Sequence, residues 1–371
     1  MAYNYVELGS LITPSKTVRC GDGVYPVLSM TMHNGLVFQD EKFKKVIASK
    51  DTSDYKVVYR NQLVISFPID EGVLAAQRIT DAGIVSPAYG IWDINQSKIL
   101  PEFLEYALRC DRAIQYYKAK LRGSTARRRT IPTPTLLAFM VPLPCLEEQK
   151  MVIDRIHRAR LVIENRKEQM NKLDDLIKAR FVEMFNNRNY PKVKLGSVCK
   201  KITDGTHKTP NYLDEGVTFI SAKNIVNGEL DFSDIKHISE REYQEIQKRC
   251  QTEIGDILLS KSGSLGAPVI VKTEEKLGLF ESLAVLKYER DRFLPEFLCE
   301  QLKTDAIQRQ FSTGTKGVAV KHLHLGVIAN TEIIEPPIEE QRAFTSFVKQ
   351  VDKSKCDASN ITSATQYQLA S

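Results

Sequence analysis

The sequence predicts a mixed α/β protein built as two similar globular modules, joined by two long antiparallel helices that form a coiled coil. Three observations carry this reading. A chain of 371 residues exceeds what one hydrophobic core ordinarily holds, so two cores are expected. The first half is echoed by the second at a nearly constant offset. An apolar heptad pattern follows each copy.

The echo runs through the whole chain. "VELGSLI" at 6–12 is answered by "VKLGSVC" at 193–199, and "VYPVLSMTMHNG" at 24–35 by "VTFISAKNIVNG" at 217–228. "RNQLVIS" at 60–66 returns as "IGDILLS" at 254–260, and "LPEFLEYAL" at 100–108 as "LPEFLCEQL" at 294–302. The phrase "PLPCLEEQ" at 142–149 returns as "EPPIEEQ" at 335–341. The offset stays between 187 and 194, as one duplicated unit with small insertions requires. A duplicated unit implies a pseudo-twofold repeat.

Within each copy, short apolar runs such as Leu63-Val64-Ile65 and Ile257-Leu258-Leu259 read as buried strands. "LPEFLEYALRCDRAIQYYKAK" opens with proline and spaces Phe103, Leu104, Ala107 and Leu108 helically, so a helix follows the strands. In the stretch after Glu148, Ile156, Ile163, Met170, Ile177 and Met184 fall every seventh residue. Val152, Ala159 and Leu173 add a second seam position, which Arg166 and Arg180 interrupt. About 36 such residues make a rod of about 54 Å. Phe344, Phe347, Val348 and Val351 begin a matching seam that pales after Lys355, so the second helix is expected to be short or frayed at its end. Prolines ahead of Glu147-Glu148 and Glu339-Glu340 suit helix starts, because acidic side chains favour the positive end of the macrodipole.

Composition narrows the class. With 42% hydrophobic and 26% charged residues the chain is not of the disordered type. "MAYNYVELGSLITPSK" lacks the pattern of a secretion signal, and no apolar run is long enough to span a membrane. Seven scattered cysteines without a CxxC pair indicate neither a disulfide framework nor a zinc site, so a reduced, cytoplasmic protein is expected. Net charge is +6, a mild pointer to a polyanionic partner. Its distribution is sharper: Arg109 to Arg129 carries eight Lys or Arg against one Asp.

Taken together, the order of these parts resembles the specificity subunit of type I DNA restriction-modification systems. "KKITDGTHKTPNYLDEGVTFISAKNI" at 200–225 and "GDILLSKSGSLG" at 255–266 are similar to motifs of its recognition domains, and the resemblance covers essentially the whole chain. It implies target-recognition domain 1 over 1–144, a central conserved helix over 145–187, target-recognition domain 2 over 188–335 and a C-terminal conserved helix over 336–371. It further implies that each recognition domain reads one half of a bipartite DNA site. The helices would set the spacer and dock two methyltransferase subunits, which bind S-adenosylmethionine; restriction subunits join the larger complex. The first domain departs from the pattern, because "NQLVISFPIDEG" lacks both the Gly-Asp pair and the basic residue after the serine.

For double-stranded DNA, Lys and Arg supply phosphate contacts while a few side chains read base edges. In the first domain the candidates are Lys120, Arg122, Arg127, Arg128 and Arg129, the alternative being a solvated basic loop. In the second they are Thr206, His207 and Lys208, then Lys223, then Ser260, Lys261 and Ser262, then Lys316 and Lys321. A hydrogen-bonded turn at 206–208 and a flexible hairpin at 260–262 stand as the plain alternatives. His322 and His324 alternate as HxH, but without a third ligand they do not make a metal site.

Neither "GSLGAP" nor "GTKG" completes a nucleotide-binding motif, and no methyltransferase or nuclease pattern occurs, so no catalytic residue and no cofactor of its own are expected. Two other readings remain open at this point. One is a protein-interaction scaffold without nucleic acid, and the other is the recognition half of a split methyltransferase.

Overall fold

The computed structural model describes residues 4–32, 34–42, 51–121, 131–186, 188–314 and 322–370, with the side chains at 42 and 357–370 left out. The chain divides into two compact units, residues 1–165 with 361–371, and residues 166–360. Both contain helices and strands, as expected.

In the first unit, Tyr5–Glu7 pairs antiparallel with Met140–Pro142. A four-stranded sheet orders Ile12–Pro14, Gly90–Ile94, Leu63–Ile65 and Leu74–Ala76. Two antiparallel pairs accompany it, Leu28–Thr31 with Gly35–Phe38 and Lys56–Tyr59 with Ala82–Val85. The basic stretch expected as one helix is two, Pro101–Arg109 and Asp111–Lys120. Cys110 between them is extended, and its carbonyl accepts from Ala113 and Ile114 to start the second helix. Leu8, Leu63, Leu74, Leu104, Leu108 and Tyr117 form the core under the sheet.

In the second unit, Lys192–Lys194 pairs antiparallel with Glu332–Ile334. Its four-stranded sheet orders Cys199–Asp204, Leu283–Tyr288, Ile257–Ser260 and Pro268–Ile270. That order repeats the first unit's, with the strand of each repeated phrase in the same place. A three-stranded sheet of Lys236–Ile238, Val217–Ile220 and Leu277–Leu279 encloses a separate core around Phe219, Ile238, Leu258 and Leu279.

The first long helix spans Leu146–Phe181, 36 residues, and closes in a π turn over Val182–Asn186. Burial along it follows the expected heptads: Ile156, Ile163, Met170, Leu173 and Met184 are half-buried and Ile177 is buried, while their neighbours are mostly exposed. The second long helix spans Ile338–Ala370, 33 residues, which corrects the expectation of a short one. Its sequence after Ile338 contains no proline and no glycine, so nothing breaks it even where the apolar seam pales.

Within the second unit the two helices run in opposite directions. Phe181 meets Phe344 edge to face at 5.4 Å, the Arg180 guanidinium lies 5.8 Å over the Phe347 ring, and Lys355 pairs with Asp174 at 2.7 Å. Phe344 and Val351 are buried and Phe347 is half-buried. Arg180, an interruption in the apolar pattern, is therefore accommodated by stacking on an aromatic face. Phe181, Phe185, Phe297 and Phe344 form one aromatic cluster that ties both helices to the helix Pro295–Lys303.

Each long helix is also tied to the "LPEF" glutamate of its own unit. His157 meets Glu102 at 2.7 Å, and Lys349 meets Glu296 at 3.0 Å. Both basic residues stand eight positions after the glutamine of the repeated phrase.

Candidate nucleic-acid interface

The site in the second unit starts from two strand ends that the sheet brings side by side. Cys199–Asp204 and Ile257–Ser260 both pair with Leu283–Tyr288, and Asp204 and Leu259 face the same residue, Ala284. The chain leaves the first strand through Gly205, which packs so close to Leu279 that a β-carbon would stand 2.1 Å from its carbonyl oxygen. Only glycine fits there. The backbone of Thr206 then bridges outward, donating to Leu279 O at 2.9 Å and accepting from Glu281 N at 2.9 Å. Its hydroxyl closes a turn on Lys208, and both His207 and Lys208 stay exposed.

Lys261 follows the second strand and turns inward. Its side chain is 3% exposed, and its ammonium donates to Asp204 Oδ2 at 2.5 Å and to the Glu281 carbonyl at 3.0 Å. Arg249, at the end of the helix Glu240–Arg249, donates to Asp204 Oδ1, and His207 lies 3.3 Å from its other oxygen. Burial alone raises the Asp204 carboxyl, but Lys261, Arg249 and His207 outweigh it and hold the group below its ordinary range. The Glu281 carboxylate lies 3.5 Å from His322, whose ring meets that of His324 edge to face at 5.6 Å. Asp204, His207, Lys261, Glu281, His322 and His324 line an open cleft of about 660 Å³.

The expected contacts at Ser260 and Lys261 are corrected by this geometry. Ser260 is fully buried, with its hydroxyl donating to Ser264 O and accepting from Ala267 N, and Lys261 is consumed by its carboxylate partner. Lys261 lines the cleft, and the buried Ser260 and half-buried Ser262 flank it along the chain. Thr206, His207 and Lys208 do come together with this hairpin. Lys223 is exposed and pairs with Asp234 at 2.9 Å, while its neighbour Ala222 is fastened to Ser282 beside the cleft wall. In the first unit, Lys120 is exposed at the end of its helix. Arg122, Arg127, Arg128, Arg129, Lys316 and Lys321 lie outside the described residues. Sequence reasoning missed Asp204, Arg249 and Glu281, and weighed His322 and His324 only for metal.

Residues 187–364 match the family model of the type I restriction modification DNA specificity domain. The second half of the chain belongs to that family. The match takes in every residue that lines the cleft, and it bears out the resemblance drawn from the repeated motifs. Across 259 residues the chain is 22% identical to the type I restriction enzyme EcoBI specificity subunit of Escherichia coli, covering 62% of this chain and 54% of that protein. The chain thus spans about half the length of this curated relative. A chain from a structure of complex assembly and conformational transition in the type I R-M system is similar at a TM-score of 0.58 and 17% identity, covering 99% of this chain and 95% of that one. The type I restriction-modification S subunit from M. genitalium is similar at a TM-score of 0.52 and 14% identity, covering 100% and 94%. These two likenesses are of fold.

Chemically, the specificity domain presents a mixture that suits base edges. Imidazoles donate or accept, guanidinium and ammonium groups donate, and a carboxylate accepts from an exocyclic amine. Among the described residues no group of His, Cys, Asp and Glu is arranged to hold a metal ion. Among them, too, no helix is long and apolar enough to cross a membrane.

Proposed function

We propose that the chain is the DNA-recognition subunit of a type I restriction-modification complex, each unit reading one half of a bipartite double-stranded site. The observation that carries this is the coincidence of the specificity-domain match with the cleft and its bordering Thr206-His207-Lys208 turn. In this reading the long helices form an antiparallel coiled coil, and the heptad burial and reversed pairing of Asp174 with Lys355 support it. The internal repeat lets one chain offer two like docking faces to two methyltransferase subunits, and restriction subunits join the larger assembly. Two half-sites on one face of DNA recur about every 34 to 36 Å, and a helical rod of fixed length holds such a spacing. S-adenosylmethionine belongs to the methyltransferase partner, and this chain contributes recognition without catalysis, in the cytoplasm.

Co-expression with the methyltransferase partner, followed by mapping of methylated adenines across a genome, tests this reading. The expected result is one two-part motif with a fixed gap. Methylation without a bipartite motif, or none beyond that of the partner alone, would overturn it.

A further inference from the structure

We infer that Phe67, braced by Tyr89, is an aromatic DNA contact that gives the first unit a reading surface different in kind from the second. The inference rests on the recognition role proposed above and deepens it.

The two units can be compared position by position at this corner. Ser66 ends the phrase that Ser260 ends in the second unit, and the strands Leu63–Ile65 and Ile257–Ser260 hold the same place in their sheets. Phe67 therefore stands where Lys261 stands. On the neighbouring strand, Pro14 faces Trp92 and Ser15 donates to Ile91 O, so Lys16 falls opposite Gly90. Gly90 faces Ile65 just as Ala284 faces Leu259, which puts Lys16 where Asp204 stands. A buried ion pair in one unit is replaced by a phenylalanine and a lysine in the other.

The replacement turns the corner outward. Lys261 is buried, whereas Phe67 is 45% exposed, with its ring set edge to face against Tyr89 at 6.0 Å. Lys56 donates to the Tyr89 carbonyl at 2.7 Å and holds the backbone that carries that ring, while Lys16 is exposed. A protruding aromatic ring at a corner that also carries an exposed lysine matches the chemistry of duplex DNA: thymine methyl groups and base steps accept an apolar ring, and phosphates offer the negative charge. The corresponding corner of the second unit is the cleft within the matched specificity domain.

The test uses the full chain assembled with its methyltransferase partner and a duplex carrying the mapped half-sites, with affinity measured over a range of salt. Phe67→Ala should weaken binding about 10- to 100-fold while leaving the salt slope, the assembly with methyltransferase and the melting temperature unchanged. Phe67→Tyr should restore most of the affinity. Equal affinity of wild type and Phe67→Ala would overturn the inference and leave the recognition role standing. Loss of methyltransferase assembly on Phe67→Ala would also overturn it, by assigning the ring to a protein partner. Failure of the wild-type complex to bind any duplex would defeat both.

Discussion

Gln149 and Gln341 make the same three hydrogen bonds, each in its own unit. Gln149 accepts from Leu100 N at 2.8 Å and donates to Lys98 O at 3.0 Å and Pro144 O at 2.9 Å. Gln341 accepts from Leu294 N at 3.0 Å and donates to Arg292 O at 2.8 Å and Pro336 O at 2.9 Å. Both side chains are completely buried. The glutamine of the repeated phrase thus latches the start of a long helix to the turn before the "LPEF" helix, fixing how the helix leaves its unit.

Replacing either latch by leucine removes three bonds and strands three backbone groups away from water. Gln149→Leu and Gln341→Leu are each expected to cost about 2 to 4 kcal/mol, read by chemical denaturation. Unchanged stability in both would mean that the latch carries no weight.

Asp204 and Lys261 give a second expectation. Asp204→Asn leaves a buried ammonium without its carboxylate and should cost about 3 to 5 kcal/mol, and pairing Asp204→Leu with Lys261→Met should recover much of that. The depressed Asp204 carboxyl also contributes a pH dependence. Because its folded value lies below the ordinary 3.8, its contribution is complete above that pH and is lost as pH falls through the folded value. Denaturation curves collected through this acid window should flatten in Asp204→Asn relative to wild type.

What the sequence disclosed and concealed follows from the range of the interactions involved. The repeat, the strands around Leu63 and Ile257 and the seam from Ile156 to Met184 were legible, because each is a local periodicity. The length of the second helix was misjudged from its fading apolar seam, although its freedom from proline and glycine already pointed to continuation. Lys261 looked like a surface cation because a lysine after Ser260 in a hairpin usually is one. Its partner lies 57 positions away and is brought to it only through the shared strand Leu283–Tyr288. Arg249 reaches Asp204 across 45 positions, and Glu281 reaches Lys261 across 20.

The pairing of Asp174 with Lys355 fixes the register of the two long helices in the second unit. Reversing one charge, Lys355→Asp or Asp174→Lys, should cost about 1 kcal/mol, and combining the two should restore stability. Additive losses in the double variant would argue for another register.

If the helices act as a ruler, their length should be legible in DNA. Inserting seven residues into each preserves the heptad and lengthens the rod by about 10 Å, so the methylated motif should widen by about three base pairs. The two half-sites themselves should stay the same.

The most direct measurement is the affinity of the assembled complex for its mapped site when one base pair is inserted into the unread spacer. If the helices hold the two reading units at a fixed separation, specific binding should collapse toward the level seen with unrelated DNA. Affinity indifferent to that insertion would contradict the account.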